Sequence, residues 1–175
     1  MNRRGALVAG VAVAAAALGA GVAWRRRGAT GQEAGDAEDE LWRARFERPG
    51  GGQLVFDSLR GRPLLLNFWA TWCPPCVAEL PMLDAFQRQH AARGWQVVGL
   101  AVDNLEPVRA FLGKRPVGFG IGLAGVDGIS LARRLGNTGG GLPFSLVFDR
   151  GGRIVQRKLG AIAPEDLQQW AASVA

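Results

Sequence analysis

Apolar positions change their period several times between Gln53 and the C-terminus, and each change marks an element. Gln53 to Phe56 alternates and predicts a short strand, ended by a turn between Asp57 and Gly61. After Arg62-Pro63, the run Leu64 to Trp69 is almost continuously apolar, the pattern of a strand buried on both faces. From Val77 to His90, the positions Leu80, Leu83 and Phe86 recur at helical spacing, so a helix is predicted, with Pro81 kinking it and Gly94 ending it. Gln96 to Val102 reads as a second buried strand. Asp103-Asn104 would cap a helix from Leu105 to about Lys114, closed by Pro116. Val117 to Leu123 alternates Gly with Phe, Ile and Leu, which suits a short strand; its glycines open no helix, against a dinucleotide-binding loop. Asp127 to Leu135 reads as a short helix and Asn137 to Gly141 as a mobile, Gly-rich loop. Leu142-Pro143 leads into a strand, Phe144 to Phe148. A turn at Asp149–Gly152 returns the chain through Arg153 to Leu159, and Pro164 starts a last helix with Leu167 and Trp170 inward. Strands alternating with helices, then a hairpin and a helix, predict an α/β sandwich on a mixed sheet.

The pattern ahead of this region is different. Gly5 to Trp24 is a run of 20 residues without a charge, between Arg3-Arg4 and Arg25-Arg26-Arg27. That length can span a bilayer core of about 30 Å, although Ala, Gly and Val favour insertion less than Leu does. A retained signal anchor is expected over residues 1–28, because three Arg follow the run where a cleavable signal carries small neutral residues. A signal cleaved after Gly21-Val22-Ala23, or a twin-arginine signal at Arg3-Arg4, stays open. Both flanks are basic, so they do not orient the span. Thr30 to Glu40 is Gly-rich and acidic and reads as solvated linker. Leu41 to Phe46 could add a short amphipathic turn, and Arg48-Pro49-Gly50-Gly51-Gly52 breaks any helix. The linker is therefore placed at 29–51 and the domain at 52–175.

Of the 175 residues, 21 are Lys or Arg and 15 are Asp or Glu, a formal charge of +6. Residues 1–40 hold five Arg and five acids and sum to zero, so the excess belongs to the rest of the chain. A basic surface suits acidic partners or anionic lipid. The Arg residues are scattered, with no aromatic stripe and no nucleic-acid motif, so no nucleic-acid partner is expected.

The chemistry concentrates between the predicted central strand and the helix after it. The chain has two Cys, and they stand three apart in Phe68-Trp69-Ala70-Thr71-Trp72-Cys73-Pro74-Pro75-Cys76. Across one helical turn, side chains at i and i+3 share a face and can form a disulfide. Cys73 would sit at the helix start, where unpaired N–H groups and the dipole favour a thiolate. Cys76 would lie one turn in, more buried. An exposed, acidic thiol that attacks and a shielded one that resolves is the arrangement thiol–disulfide exchange needs. Pro74 and Pro75 preset φ and lack N–H groups that a first turn leaves unpaired. A structural disulfide, a zinc site and two inert buried cysteines are the rival readings. Zinc needs about four ligands, and one His is the only other candidate of its kind.

Trp72-Cys73-Pro74-Pro75-Cys76, preceded by Asn67-Phe68-Trp69-Ala70, resembles the thioredoxin superfamily. Within it, the likeness is to the membrane-anchored TlpA/ResA-like thiol–disulfide oxidoreductases, from about Gly52 onward. The resemblance implies a three-layer thioredoxin-like sandwich, a mixed sheet flanked by helices, with an N-terminal β extension and a central α/β insertion over Val117–Leu135. It implies a cis-proline at Pro143 facing the cysteines, with Leu142 offering backbone groups to a bound peptide. Phe144 stands where many relatives have Thr. Thioredoxin's buried Asp is replaced by Asn67, and Glu79, three after the second Cys, is the candidate to tune Cys76 or relay its proton. A solvated helix Glu is the rival for Glu79. Trp69 and Trp72 would pack around the disulfide, and Trp69 could equally be core. His90 reads as surface, and Asp103, Glu106 and Asp127 as caps or solvated positions.

The resemblance further implies a bacterial inner-membrane protein, single-pass, with its domain in the periplasm. No cofactor is expected beyond the redox-active disulfide. Expected partners are protein thiols and disulfides of the envelope, apocytochrome c cysteines among them, and a membrane electron donor. A copper- or haem-handling chaperone and a thiol peroxidase remain as alternatives. The first would use Cys-x-x-x-Cys and a distant His; the second needs Thr where Ala70 stands.

Overall fold

Strand β3 (Leu64–Trp69) is buried along its whole length. Its side chains alternate between two separate apolar clusters: Leu65 and Trp69 enter one, Leu64, Leu66 and Phe68 the other. The fold builds a layer on each. In the computed structural model, which describes residues 35–174, β3 lies inside a seven-stranded sheet of order β2-β1-β5-β4-β3-β6-β7. The other strands are β1 (Arg45–Glu47), β2 (Gln53–Val55), β4 (Gln96–Ala101), β5 (Gly120–Leu123), β6 (Phe144–Phe148) and β7 (Ile154–Leu159). β3, β4 and β5 run parallel; β6 is antiparallel to β3 and to β7. One face carries α2 (Pro74–His90), α3 (Leu105–Lys114) and α5 (Pro164–Ser173), through Cys76, Leu80, Leu83, Val108, Leu167 and Trp170. The opposite face carries α1 (residues 35–43) and α4 (Gly128–Arg134), through Leu41, Trp42, Leu131 and Ala132. This is the expected three-layer mixed-sheet sandwich, with the central α/β insertion present as β5 and α4.

Residues 37–51 depart from the linker reading. Leu41 and Trp42 are buried. Phe46 pairs with Leu54 across a β1–β2 hairpin, and Glu47 pairs with Leu123 of β5. Pro49 to Gly52 is the turn of that hairpin, closed by the Gly51 N–H to Arg48 O bond and the Arg48 N–H to Gly52 O bond, with Gly51 and Gly52 at positive φ. A Pro-Gly-rich stretch reads the same in a linker and in a turn; the partner strand decides which it is. The alternation in β5 explains the seat of the hairpin. A Cβ on Gly122 would lie 2.9 Å from Phe46 Cβ and 3.0 Å from Leu54 Cδ2. Bare backbone on that face therefore lets the N-terminal strands approach.

The segment Asn137–Gly141 carries hydrogen bonds of its own. Asn137 is buried, its Nδ2 donates to Gly141 O at 2.7 Å, and its carbonyl accepts from Gly140 N–H at 3.0 Å. The predicted membrane span Gly5–Trp24 and residues 29–34 of the predicted linker lie outside the described residues. Among the described residues, no helix is long and apolar enough to cross a membrane.

Candidate active site

The chain leaves the sheet at Trp69 and enters α2 five residues later. The Cys73 N–H donates back to Ala70 O at 3.2 Å, and Cys73 takes the N-cap position in extended conformation. Pro74 and Pro75 fill the first two helical positions. The Val77 N–H reaches Cys73 O at 3.1 Å. Of the orphan donors that begin a helix, the prolines remove two, and the Cys76 N–H and the dipole of a 17-residue helix remain at the Cys73 end.

Cys73 and Cys76 are joined in a disulfide, with Sγ–Sγ 2.04 Å and Cα–Cα 5.3 Å. Cys76 is fully buried and Cys73 is 5% exposed. Both cysteines are therefore buried, and Cys73 is more covered than the exposed thiol expected at the helix start. Pro74 and Pro75 are exposed, and Trp72 is 64% exposed. Trp69 is core, fully buried with its ring 5.4 Å from that of Phe111. The Leu142–Pro143 peptide is cis. Pro143 immediately precedes the Phe68–Phe144 pair of the β3–β6 ladder, which sets it beside Trp69 at the β3 exit that leads to Cys73. Leu142 is half-buried against both clusters.

On the α2 face of the sheet, one turn into the helix from Cys76, lies a buried polar group. Asn67 Nδ2 donates to Glu79 Oε1 at 2.7 Å and to Ser145 Oγ at 2.9 Å. The Ile162 N–H donates to Glu79 Oε2 at 2.9 Å. Glu79 is 4% exposed, so the solvated-helix alternative does not hold. Burial pushes its carboxyl above the ordinary carboxylate range, against the opposing hydrogen bonds from Ile162 and Asn67. The folded state thus holds this proton more tightly than the unfolded chain does. Its contribution to stability is fully present below the ordinary Glu pKa of about 4.3 and is lost as pH rises through the raised folded value. Replacing Glu79 with Gln removes the titration. Thermal unfolding of both oxidised proteins across this pH range is expected to show the wild type losing ground to Glu79→Gln as pH rises. Parallel curves would mean that the carboxyl ionises normally.

His90 is half-buried rather than on the surface, with its ring 4.6 Å from that of Phe86. Burial and then Arg93 hold it below the usual His range. It lies at the far end of α2, roughly 24 Å along the axis from the cysteines at 1.5 Å per residue. Among the described residues, no three His, Cys, Asp or Glu side chains gather as a metal site would require.

Two site residues escape the sequence reading. Ser145 is visible in retrospect as the polar position in an otherwise apolar strand, directly opposite Asn67 in the ladder. Asp103 is the second: its Oδ2 accepts from both the N–H and the hydroxyl of Thr71, at 3.1 and 2.5 Å. Nothing in its sequence context separates that role from helix capping. Leu159, 56% exposed, pairs with Phe144 on the side opposite Phe68 and adds an apolar side chain at the same sheet edge.

A thioredoxin-like sheet with a Cys-x-x-Cys disulfide at the start of the helix after the interior strand β3 defines a thiol–disulfide oxidoreductase. The chain belongs to the Redoxin family, whose model matches residues 36–172. It is 27% identical over 122 residues to the thiol–disulfide oxidoreductase ResA of Bacillus thuringiensis (strain Al Hakam), covering 69% of this chain and 68% of that one. It is 27% identical over 115 residues to the sporulation thiol–disulfide oxidoreductase A of Bacillus subtilis (strain 168), covering 63% and 67%. The crystal structure of a thioredoxin-family thiol:disulfide interchange protein from Chlorobium tepidum superposes with a TM-score of 0.66 at 28% identity, over 75% of this chain and 92% of that one.

Proposed function

We propose that the protein is a reductant of protein disulfides in the bacterial cell envelope, held at the inner membrane by residues 1–28. The observation that carries the chemistry is the Cys73–Cys76 disulfide at the N-terminus of α2, with Cys73 at the N-cap, 5% exposed, and Cys76 fully buried. In the reduced protein, the Cys73 thiolate attacks one sulfur of a substrate disulfide. A mixed disulfide forms, and the other substrate sulfur leaves as thiolate and takes up a proton. The Cys76 thiolate then attacks Cys73 Sγ, closes the 73–76 disulfide and releases the second substrate thiol. Two electrons and two protons pass to the substrate. Glu79, buried and three residues after Cys76 on α2, would serve that thiol as a proton relay. Trp72, Pro74, Pro75, Leu142 and cis-Pro143 form the docking edge. A membrane electron donor would restore the dithiol, and apocytochrome c cysteines are one class of substrate that fits. The apolar run Gly5–Trp24, between Arg3-Arg4 and Arg25-Arg26-Arg27, supports the anchor.

Trapping tests this reading. Cys76→Ser keeps the attack and removes the resolution, so covalent adducts to envelope proteins are expected in non-reducing gels of cells carrying the full chain. Equilibration of the wild type with glutathione tests direction. A reductant should titrate nearer thioredoxin, at about −270 mV, than a strong oxidant, at about −120 mV. A folded Cys76→Ser protein with no adducts, or a potential at the oxidising end, overturns the proposal.

A further inference from the structure

Asp103 stands between β4 and α3, and the cap of α3 falls to Asn104, which makes no side-chain cap bond. The Asp103 carboxylate instead faces the neighbouring strand exit. β4 runs parallel to β3, and the Val102 N–H donates to Trp69 O at 2.8 Å, so the two chains leave the sheet side by side. Asp103 Oδ2 bridges that gap, accepting from the Thr71 N–H at 3.1 Å and the Thr71 hydroxyl at 2.5 Å. Its Oδ1 accepts from the Asn104 N–H at 2.8 Å, which ties the carboxylate to its own turn. Thr71 is followed at once by Trp72, 64% exposed, and by Cys73. A large apolar ring held out in water next to a reacting sulfur gains nothing by itself from that position. The turn carrying it is held from outside, by a carboxylate in the connection between β4 and α3.

We propose that Asp103 is a positioning residue of the redox site: through Thr71 it fixes the Trp72–Cys73 turn, so that a protein partner meets a preordered surface. The inference rests on the reading of Cys73 as the attacking thiol. Hydrogen bonds to a charged acceptor are stronger than neutral ones. A turn ordered in advance spares a docking partner the entropy of ordering it. A small dithiol needs only the sulfur and not the surface around it.

The experiment compares a folded disulfide protein, insulin, with dithiothreitol as exchange partners of the full chain. For Asp103→Ala, the expected result is a KM for insulin raised about tenfold, which is about 1.4 kcal/mol. Its kcat, and the rate at which dithiothreitol opens the Cys73–Cys76 disulfide, should stay within about twofold. Asp103→Asn keeps an acceptor and should recover most of the KM. Thr71→Val keeps the backbone bond, should raise KM by about threefold, and carries the test alone if Asp103→Ala does not fold. The double variant should be no worse than Asp103→Ala, because Asp103→Ala already removes the hydroxyl bond that Thr71→Val removes. An unchanged KM in Asp103→Ala or in Thr71→Val, beside an active wild type, overturns the inference. So does an equal loss towards insulin and dithiothreitol, which would mark a general structural role. A wild type that exchanges with neither partner overturns the functional reading and this inference with it.

Discussion

Cys73→Ser is expected to abolish thiol–disulfide exchange, lowering the rate of insulin reduction by on the order of 10³-fold or more. The reason lies in where each sulfur stands. Cys76 lies within the first turn of α2 and is fully buried, so it is not expected to replace Cys73 as the group that meets a substrate. A serine hydroxyl at the helix start does not ionise near neutral pH and forms no bond to sulfur. The same change made at Cys76 should behave differently, leaving the first attack intact and stalling the cycle at a mixed disulfide. Insulin turbidity for the first variant and non-reducing electrophoresis for the second separate the two roles. If Cys73→Ser kept more than about a tenth of the wild-type rate, the order of attack assigned here would be wrong.

Trp42→Ala is expected to cost about 3–5 kcal/mol of folding free energy, as for other buried large-to-small changes. That is a large part of the 5–15 kcal/mol typical of a domain. Trp42 is 2% exposed, and its Nε1 donates to Gly152 O at 2.8 Å across a sequence separation of 110. Its ring meets Phe148 and Phe56 at 5.2 and 5.7 Å, and the Arg60 guanidinium lies 4.5 Å from its centroid. Removing the indole opens a cavity and leaves the Gly152 carbonyl without its donor. Urea unfolding of the oxidised protein measures the loss. Val126→Ala, at a 77% exposed position, is the control and should stay within about 0.5 kcal/mol. A Trp42→Ala loss below about 1 kcal/mol would mean that α1 is not part of the folded unit. By the same argument, a chain begun at Gly52, where the sequence pattern sets the domain boundary, lacks α1 and β1 and should be much less stable than one that includes them.

The error at that boundary has a physical cause. Local pattern reports period and breakers, and α1 and β1 are short elements between acidic and Gly-rich residues, with too few apolar positions to show a period. Their apolar residues matter because of distant partners: Trp42 meets Phe148, and Phe46 rests over Gly122. Where the pattern is long, over β3, α2, β4 and β6, the expected and observed elements agree within a few residues. The same contrast runs through the site. Cys73, Cys76 and the two prolines are legible because their chemistry depends on neighbours in sequence. Pro143 and Glu79 were reached through resemblance to a family. The cis bond at Pro143 and the burial of Glu79 depend on β3, β6 and the chain at Ile162 converging.

What the sequence determined alone is therefore local: a redox-capable pair three residues apart, at the junction of a doubly buried strand and an amphipathic helix. Helical spacing brings those two sulfurs within bonding distance whatever surrounds them. Tertiary structure decided what surrounds them. Sheet register put Ser145 opposite Asn67, parallel strand exits put Asp103 beside Thr71, and burial raised the Glu79 carboxyl. Those are contacts between residues from 12 to 83 positions apart. No local periodicity encodes them, because their energies come from desolvation and hydrogen bonding that exist only once the layers have closed.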